Sequence, residues 1–166
     1  MDSMLSPDIT ELARRVVEEN IRIGRTVALA ESCTGGLVGA ALTEIAGSSK
    51  VLERGFITYS NESKMEQLQV PSDLIETFGA VSVAVAWSMA QGALAASRAD
   101  VAVSITGIAG PEGGTERKPV GTVVFARAIR GQANDKPTAE LKRFDCRTRA
   151  DVRHQATLCA LELLLP

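Results

Sequence analysis

A chain of 166 residues with 45% hydrophobic and 23% charged residues is long enough, and balanced enough, to fold as one soluble globular domain without staples. Its net charge of −2 argues against a general nucleic-acid binder, which presents a basic face. Three scattered cysteines (Cys33, Cys146, Cys159) and a single histidine, His154, argue against a disulfide framework and exclude a multi-imidazole zinc site within one chain.

Ser6-Pro7 opens the first predicted helix, a capping hydroxyl followed by proline at the first helical position. Ile9, Leu12, Ala13, Val16 and Val17 form its apolar stripe, and Gly24 marks its end. Val27–Ala30 reads as a buried strand. Leu37, Val38, Ala41, Leu42 and Ile45 then repeat with helical spacing, which predicts a helix over Gly36–Ala46 closed by Gly47. Gly55–Tyr59, rich in β-branched and aromatic residues, predicts the second strand. Lys64–Gln69 suggests a short helix, Pro71-Ser72 start another that ends near Gly79, and Ser82 caps a longer one running to Ser97. Val101–Ile105 is a nearly continuous apolar run, the pattern of a central strand. A glycine-rich loop, Gly107–Pro119, leads to a strand over Val120–Ala128. Gly131–Pro137 reads as a turn-rich, mobile link, and Leu141–Cys146 alternates as a strand with one wet face, suited to a hairpin with the strand before it. Thr148 and Asp151 resemble a capping box for a last helix with Val152, Ala156, Cys159, Leu163 and Leu164 on its apolar face. Alternating strands and helices followed by a late hairpin predict a three-layer α/β/α sandwich on a mixed, mostly parallel sheet. No second domain is expected within 1–166. The start of the chain shows no basic-then-apolar leader pattern, and no apolar run approaches spanning length, so the expected location is the cytoplasm, away from membranes.

Three polar segments follow strand ends: Glu31–Gly36, Tyr59–Lys64 and Thr106–Lys118. Ligands in open α/β sheets bind at the carboxyl ends of strands, so parallel strands would bring these segments to one edge. The first segment sits on a strand-to-helix turn, where backbone N–H groups and the positive end of the helix dipole can hold an anion and present a hydroxyl. The bland alternative is a helix cap. Ser32 is a candidate nucleophile and needs a base. His154 points away from the apolar face of its helix and reads as a solvated residue. Lys64 and Tyr59 stand one strand end away, and a Ser–Lys or Ser–Tyr–Lys group needs no histidine. A free lysine titrates at about 10.4, so action near neutrality requires a fall of roughly three units, about 4 kcal/mol of differential environment. The alternatives are a solvated Lys64 in a first helical turn and a Tyr59 that covers the core. Cys33 is the rival nucleophile, since helix N-termini lower thiol pKa values. The Gly107–Pro119 loop offers backbone amides and the pair Arg117-Lys118 to a phosphate or carboxylate. It lacks the ending of a P-loop and does not lead directly into a helix as a Rossmann fingerprint does.

Four ordered motifs carry a family resemblance: Ala30-Glu31-Ser32-Cys33-Thr34-Gly35-Gly36; Gly55-Phe56-Ile57-Thr58-Tyr59-Ser60-Asn61-Glu62-Ser63-Lys64; Gly79-Ala80-Val81-Ser82; and Ser104-Ile105-Thr106-Gly107-Ile108-Ala109-Gly110-Pro111 with Lys118-Pro119-Val120-Gly121-Thr122-Val123. From Leu12 to the last helix the chain resembles the CinA C-terminal domain family. The resemblance implies an α/β/α amidase domain without metal or cofactor. The implied reaction converts nicotinamide mononucleotide to nicotinate mononucleotide and ammonia. By motif position the nucleophile falls on Ser32, with Tyr59 and Lys64 assisting. Glu31, Cys33, Thr34, Gly35, Gly36, Asn61, Thr106, Gly107, Gly110, Arg117 and Lys118 are the implied substrate contacts. Backbone amides of Cys33–Gly36 are the expected oxyanion donors. The expected partner is a small nucleotide substrate, with neither nucleic acid nor membrane, and a homo-oligomer is allowed. Longer relatives carry an additional N-terminal domain linked to pyrophosphatase activity. This chain begins about a helix before the first motif, so the stand-alone amidase form is expected. The competing expectation is a non-catalytic nucleotide-binding or regulatory module of the competence/damage-inducible type.

Overall fold

The computed structural model describes residues 3–133 and 138–166. Part of the Gly131–Pro137 segment, read above as a mobile link, therefore lies outside the described residues. Helix α1 (Pro7–Ile23) precedes β1 (Val27–Glu31), α2 (Leu37–Thr43) and a 3-10 turn at Ser48–Lys50. Then come β2 (Leu52–Ile57), α3 (Asn61–Leu68), α4 (Ser72–Phe78), α5 (Val83–Ala95), β3 (Val101–Gly107), β4 (Thr122–Ile129), β5 (Thr138–Arg143) and α6 (Arg149–Leu163). The five strands form one mixed sheet in the order β2-β1-β3-β4-β5. β2, β1 and β3 run parallel, and β4 and β5 follow as an antiparallel hairpin. One face buries Leu29, Val103 and Phe125 beneath α1, α2 and α6. The other buries Ala28, Ala30 and Ala102 beneath α3, α4 and α5. This is the predicted α/β/α sandwich.

Several boundaries differ from expectation, each for a local reason. Ser6 makes no side-chain cap bond. α2 ends at Thr43 because the chain tightens through an Ile45 N–H to Leu42 carbonyl bond, and Gly47 opens the 3-10 turn rather than closing α2. β2 starts at Leu52, opposite Val27, and leaves the sheet before Tyr59. β4 starts two residues later than expected, since Gly121 turns to bond Ile108. β5 lies three residues earlier than predicted, because β4 begins at Thr122 and pairs it with Arg143. The most consequential shift is in α3. Ser60 and Ser63 form a reciprocal capping box that starts the helix at Asn61 rather than Lys64. Lys64 thereby becomes a fourth helical residue and turns inward. The Thr148/Asp151 capping box of α6 is present as predicted.

Candidate active site

The carboxyl ends of β1, β2 and β3 meet at one edge of the sheet and form a cleft of about 280 Å³. Along β1, side chains alternate: Leu29 and Glu31 face α2, whereas Ala30 and Ser32 face α3. Glu31 is buried, and its carboxylate accepts the N–H groups of Gly36 at 3.2 Å, Val38 at 3.0 Å and Gly39 at 3.0 Å. It fills the N-terminus of α2 with the chain's own negative charge. The sequence reading left that end open to an external anion and placed Glu31 among the substrate contacts; the structure corrects both. Gly36 takes φ +100° to make this turn, a conformation costly for any other residue.

Ser32 is 8% exposed and Lys64 only 1%. Lys64 Nζ lies 3.0 Å from Ser32 Oγ and donates to the Thr58 carbonyl at 2.7 Å. None of the ion pairs among the described residues involves Lys64. Burial, unrelieved by a carboxylate, therefore holds the Lys64 ammonium below the ordinary lysine range. The solvated alternative for Lys64 is overturned.

Tyr59 lies beyond the end of β2, is 59% exposed, and accepts a hydrogen bond from Arg149 Nη2 at 2.6 Å. No hydrogen bond joins its phenol to Ser32 or Lys64. The expected tyrosine relay gives way to a direct lysine–serine contact, with Tyr59 at the lip of the cleft.

Of the expected substrate contacts, Cys33, Asn61, Thr106, Gly107 and Gly110 line the cleft. Thr106 is buried and donates to the Ala80 carbonyl at 2.9 Å, fixing the segment before α5 as one wall. Gly107 admits no side chain: a Cβ there would fall 2.8 Å from Val123 Cγ2 and 3.0 Å from Cys33 Sγ. The remaining residues do not line it. Thr34 is fully buried, the Gly35 N–H is taken by the Ser32 carbonyl and that of Gly36 by Glu31. Of the four amides expected as oxyanion donors, those of Gly35 and Gly36 are thus taken within the chain, and of the remaining two residues Cys33 lines the cleft. Lys118 turns back to cap α4 through the Phe78 carbonyl, and the Arg117 carbonyl accepts from Arg143. Neither Arg117 nor Lys118 lines the cleft. Burial pushes the Cys33 thiol up to about 11. Its sulfur packs with the apolar core, so it is a poor thiolate source.

Two cations were missed by the sequence reading. Arg149, at the start of α6, lines the cleft and donates to the Gly110 carbonyl at 2.6 Å as well as to Tyr59. Arg153, one turn on, donates to the carbonyls of Cys33 and Thr34 at 3.1 Å each, clamping the turn after β1. Their i,i+4 spacing on the polar side of the last helix was the available signal. His154 pairs with Asp8 at 2.8 Å, away from the cleft. Among the described residues no cluster of three or more His, Cys, Asp or Glu side chains could hold a metal ion, and no helix is long and apolar enough to cross a membrane. A second cavity of about 320 Å³, beside Trp87 and Arg130 at the opposite end of the sheet, contains no nucleophile–base pair.

Residues 9–166 match the family model described as the CinA C-terminal domain. The chain is 48% identical over 164 residues to nicotinamide-nucleotide amidohydrolase PncC of Escherichia coli (strain K12), covering 97% of this chain and 95% of that protein. A CinA-like protein of Mycolicibacterium vanbaalenii is 50% identical over 141 residues, 85% of this chain but 32% of that longer protein. Among solved structures, the competence/damage inducible protein CihA from Agrobacterium tumefaciens superposes with a TM-score of 0.92 at 48% identity, covering 98% of this chain and 96% of that one.

Proposed function

The chain belongs to the CinA C-terminal domain family, and from that premise we propose that it is a nicotinamide-nucleotide amidase acting on nicotinamide mononucleotide through a Ser32–Lys64 pair. The observation that carries the mechanism is the 3.0 Å contact between Ser32 Oγ and a buried Lys64. A lysine whose ammonium form is disfavoured by burial is a better base near neutrality; Lys64 accepts the Ser32 proton as Oγ attacks the carboxamide carbon. The Cys33 N–H, following the nucleophile in the chain, donates to the oxyanion. Collapse of the tetrahedral intermediate breaks the C–N bond, and Lys64 passes the same proton to the departing nitrogen, which leaves as ammonia. Water then attacks the acyl-Ser32 ester with Lys64 again as base, releasing the acid and restoring the Ser32 hydroxyl. Arg149 supplies the positive charge for the substrate phosphate, and the exposed Tyr59 ring offers an aromatic face to the cationic pyridinium. The test is an incubation of the purified chain with nicotinamide mononucleotide, following ammonia and nicotinate mononucleotide. Equimolar release of both over many turnovers supports the proposal. Folded protein that releases neither rejects it and leaves the non-catalytic binding module.

A further inference from the structure

Ile57, the last residue of β2, faces α2: a Cβ built on Gly36 would lie 3.1 Å from Ile57 Cδ1. Side chains alternate along an extended chain, so Thr58 faces the opposite side, where Ser32 and Lys64 meet. The Thr58 N–H donates to the Glu31 carbonyl at 2.8 Å, which continues the parallel ladder and sets Thr58 beside Ser32 on the neighbouring chain segment. The Thr58 carbonyl already accepts from Lys64 Nζ at 2.7 Å. Yet the Thr58 side chain is fully buried (0% exposed), and among the described residues its hydroxyl has no hydrogen-bond partner. A buried hydroxyl left unpaired is costly and calls for an explanation.

The donor inventory of Lys64 supplies one. A neutral amine has two N–H groups and one lone pair; an ammonium has three N–H groups and none. In the neutral state one N–H goes to the Thr58 carbonyl, the lone pair accepts from Ser32, and the second N–H has no acceptor among the described residues. After the proton moves onto the lone pair, the new N–H faces Ser32 Oγ, and the leftover N–H belongs to a cation, where an unpaired donor costs more.

We propose that the Thr58 hydroxyl accepts the third N–H of Lys64 once Lys64 has taken the serine proton, making Thr58 a positioning residue that acts through Lys64. This rests on the Ser32–Lys64 reading above and deepens it. The proton comes from Ser32, stays on the side of Nζ facing Ser32 while the Thr58 carbonyl and hydroxyl accept the other two N–H groups, and leaves on ammonia. The titratable groups sharing the cleft with Lys64 are Cys33, Tyr59, Glu112 and Arg149. Glu31 lies behind the sheet on the α2 amides, Arg153 is tied to the Cys33 and Thr34 carbonyls, and Glu62 and Glu66 are exposed on α3. α5, packed over this face, carries no charged residue. Thr58 thus offers an uncommitted hydroxyl on the residue whose carbonyl Lys64 already bonds.

The experiment compares Thr58→Val, which keeps the branched shape and loses the hydroxyl, with Thr58→Ser, which keeps the hydroxyl. Lys64 is titrated directly by 13Cε NMR in the full chain, and kcat and KM for nicotinamide mononucleotide are followed against pH. Removing an acceptor of the ammonium lowers the Lys64 pKa. In Thr58→Val the titration and the acid limb of kcat/KM therefore move down by about one pH unit, and kcat falls about tenfold with KM unchanged. Thr58→Ser returns both to the wild-type position. A valine variant with the wild-type titration and kcat overturns the proposal, as does a serine variant impaired like the valine one, which would indicate packing. Thr58→Ala serves as a second hydroxyl-free variant if the valine does not fold. The NMR titration needs no substrate. A chain that shows the titration shift but releases no ammonia therefore sinks the amidase reading while the Thr58–Lys64 coupling stands.

Discussion

Replacing Lys64 by Met separates its chemistry from its packing, because methionine fills a similar volume without a titratable group. Among the described residues Lys64 Nζ is hydrogen-bonded to the Thr58 carbonyl and Ser32 Oγ, and the cleft's other cation is Arg149. The variant therefore loses general acid–base catalysis and little ground-state binding. That loss is typically 10²–10⁴-fold, or about 2.7–5.5 kcal/mol of transition-state stabilisation. It is expected in kcat, with KM changed less than about threefold. Lys64→Arg does not recover the rate, since a guanidinium stays protonated and cannot take the serine proton. The assay is steady-state ammonia release from nicotinamide mononucleotide by folded wild type, Lys64→Met and Lys64→Arg. Recovery of most activity by arginine, or a loss confined to KM, would show that Lys64 binds charge rather than moves a proton.

The remaining predictions concern stability and binding. Burial lowers the Lys64 pKa, so between its depressed folded value and about 10.4 the unfolded chain binds more protons than the folded one; stability contributed by this group rises with pH across that window. Thermal melting of Lys64→Met should lack that rise, its advantage over wild type being largest at low pH and shrinking toward pH 10; parallel curves refute the shift. Glu31→Ala leaves three amides of the α2 start without their acceptor and should cost about 2–3 kcal/mol, a fall in Tm of about 4–12 °C. An unchanged Tm would mean that Glu31 does not hold the turn. Arg149→Ala should raise KM about tenfold with kcat within about threefold, and Arg149→Lys should recover part of it; a loss confined to kcat would assign Arg149 to the chemistry instead.

The layers of the fold were legible because hydrophobic period and caps agree. Val27–Ala30 and Val101–Ile105 read as buried strands and form β1 and β3, and Thr148 and Asp151 cap α6 as read. The edge where the site lies was legible too, once three polar segments followed three parallel strands. What single residues do there was less so. Lys64 was visible as a residue type, but its burial depends on Ser60 and Ser63 starting α3 three residues early, a capping box of two serines rather than the usual Ser–Glu pair. Glu31 read as a substrate contact because nothing local shows that its carboxylate folds back on α2. Arg117 and Lys118 had the right chemistry but sit on a loop that returns to α4 and β5. Arg149 and Arg153 reach the site from the far end of the chain, a tertiary juxtaposition that their i,i+4 spacing alone does not announce.

The most direct test of the account is ammonia release from nicotinamide mononucleotide by Ser32→Ala, measured beside Cys33→Ala and with substrate binding followed calorimetrically. Ser32 carries the attacking oxygen in this account, and Cys33 is a buried thiol raised to about 11. Ser32→Ala should lose more than about 10³-fold in turnover while its Kd stays within a few-fold, and Cys33→Ala should keep most of the wild-type rate. Substantial turnover by Ser32→Ala, with the loss appearing in Cys33→Ala instead, would contradict the assignment of the nucleophile.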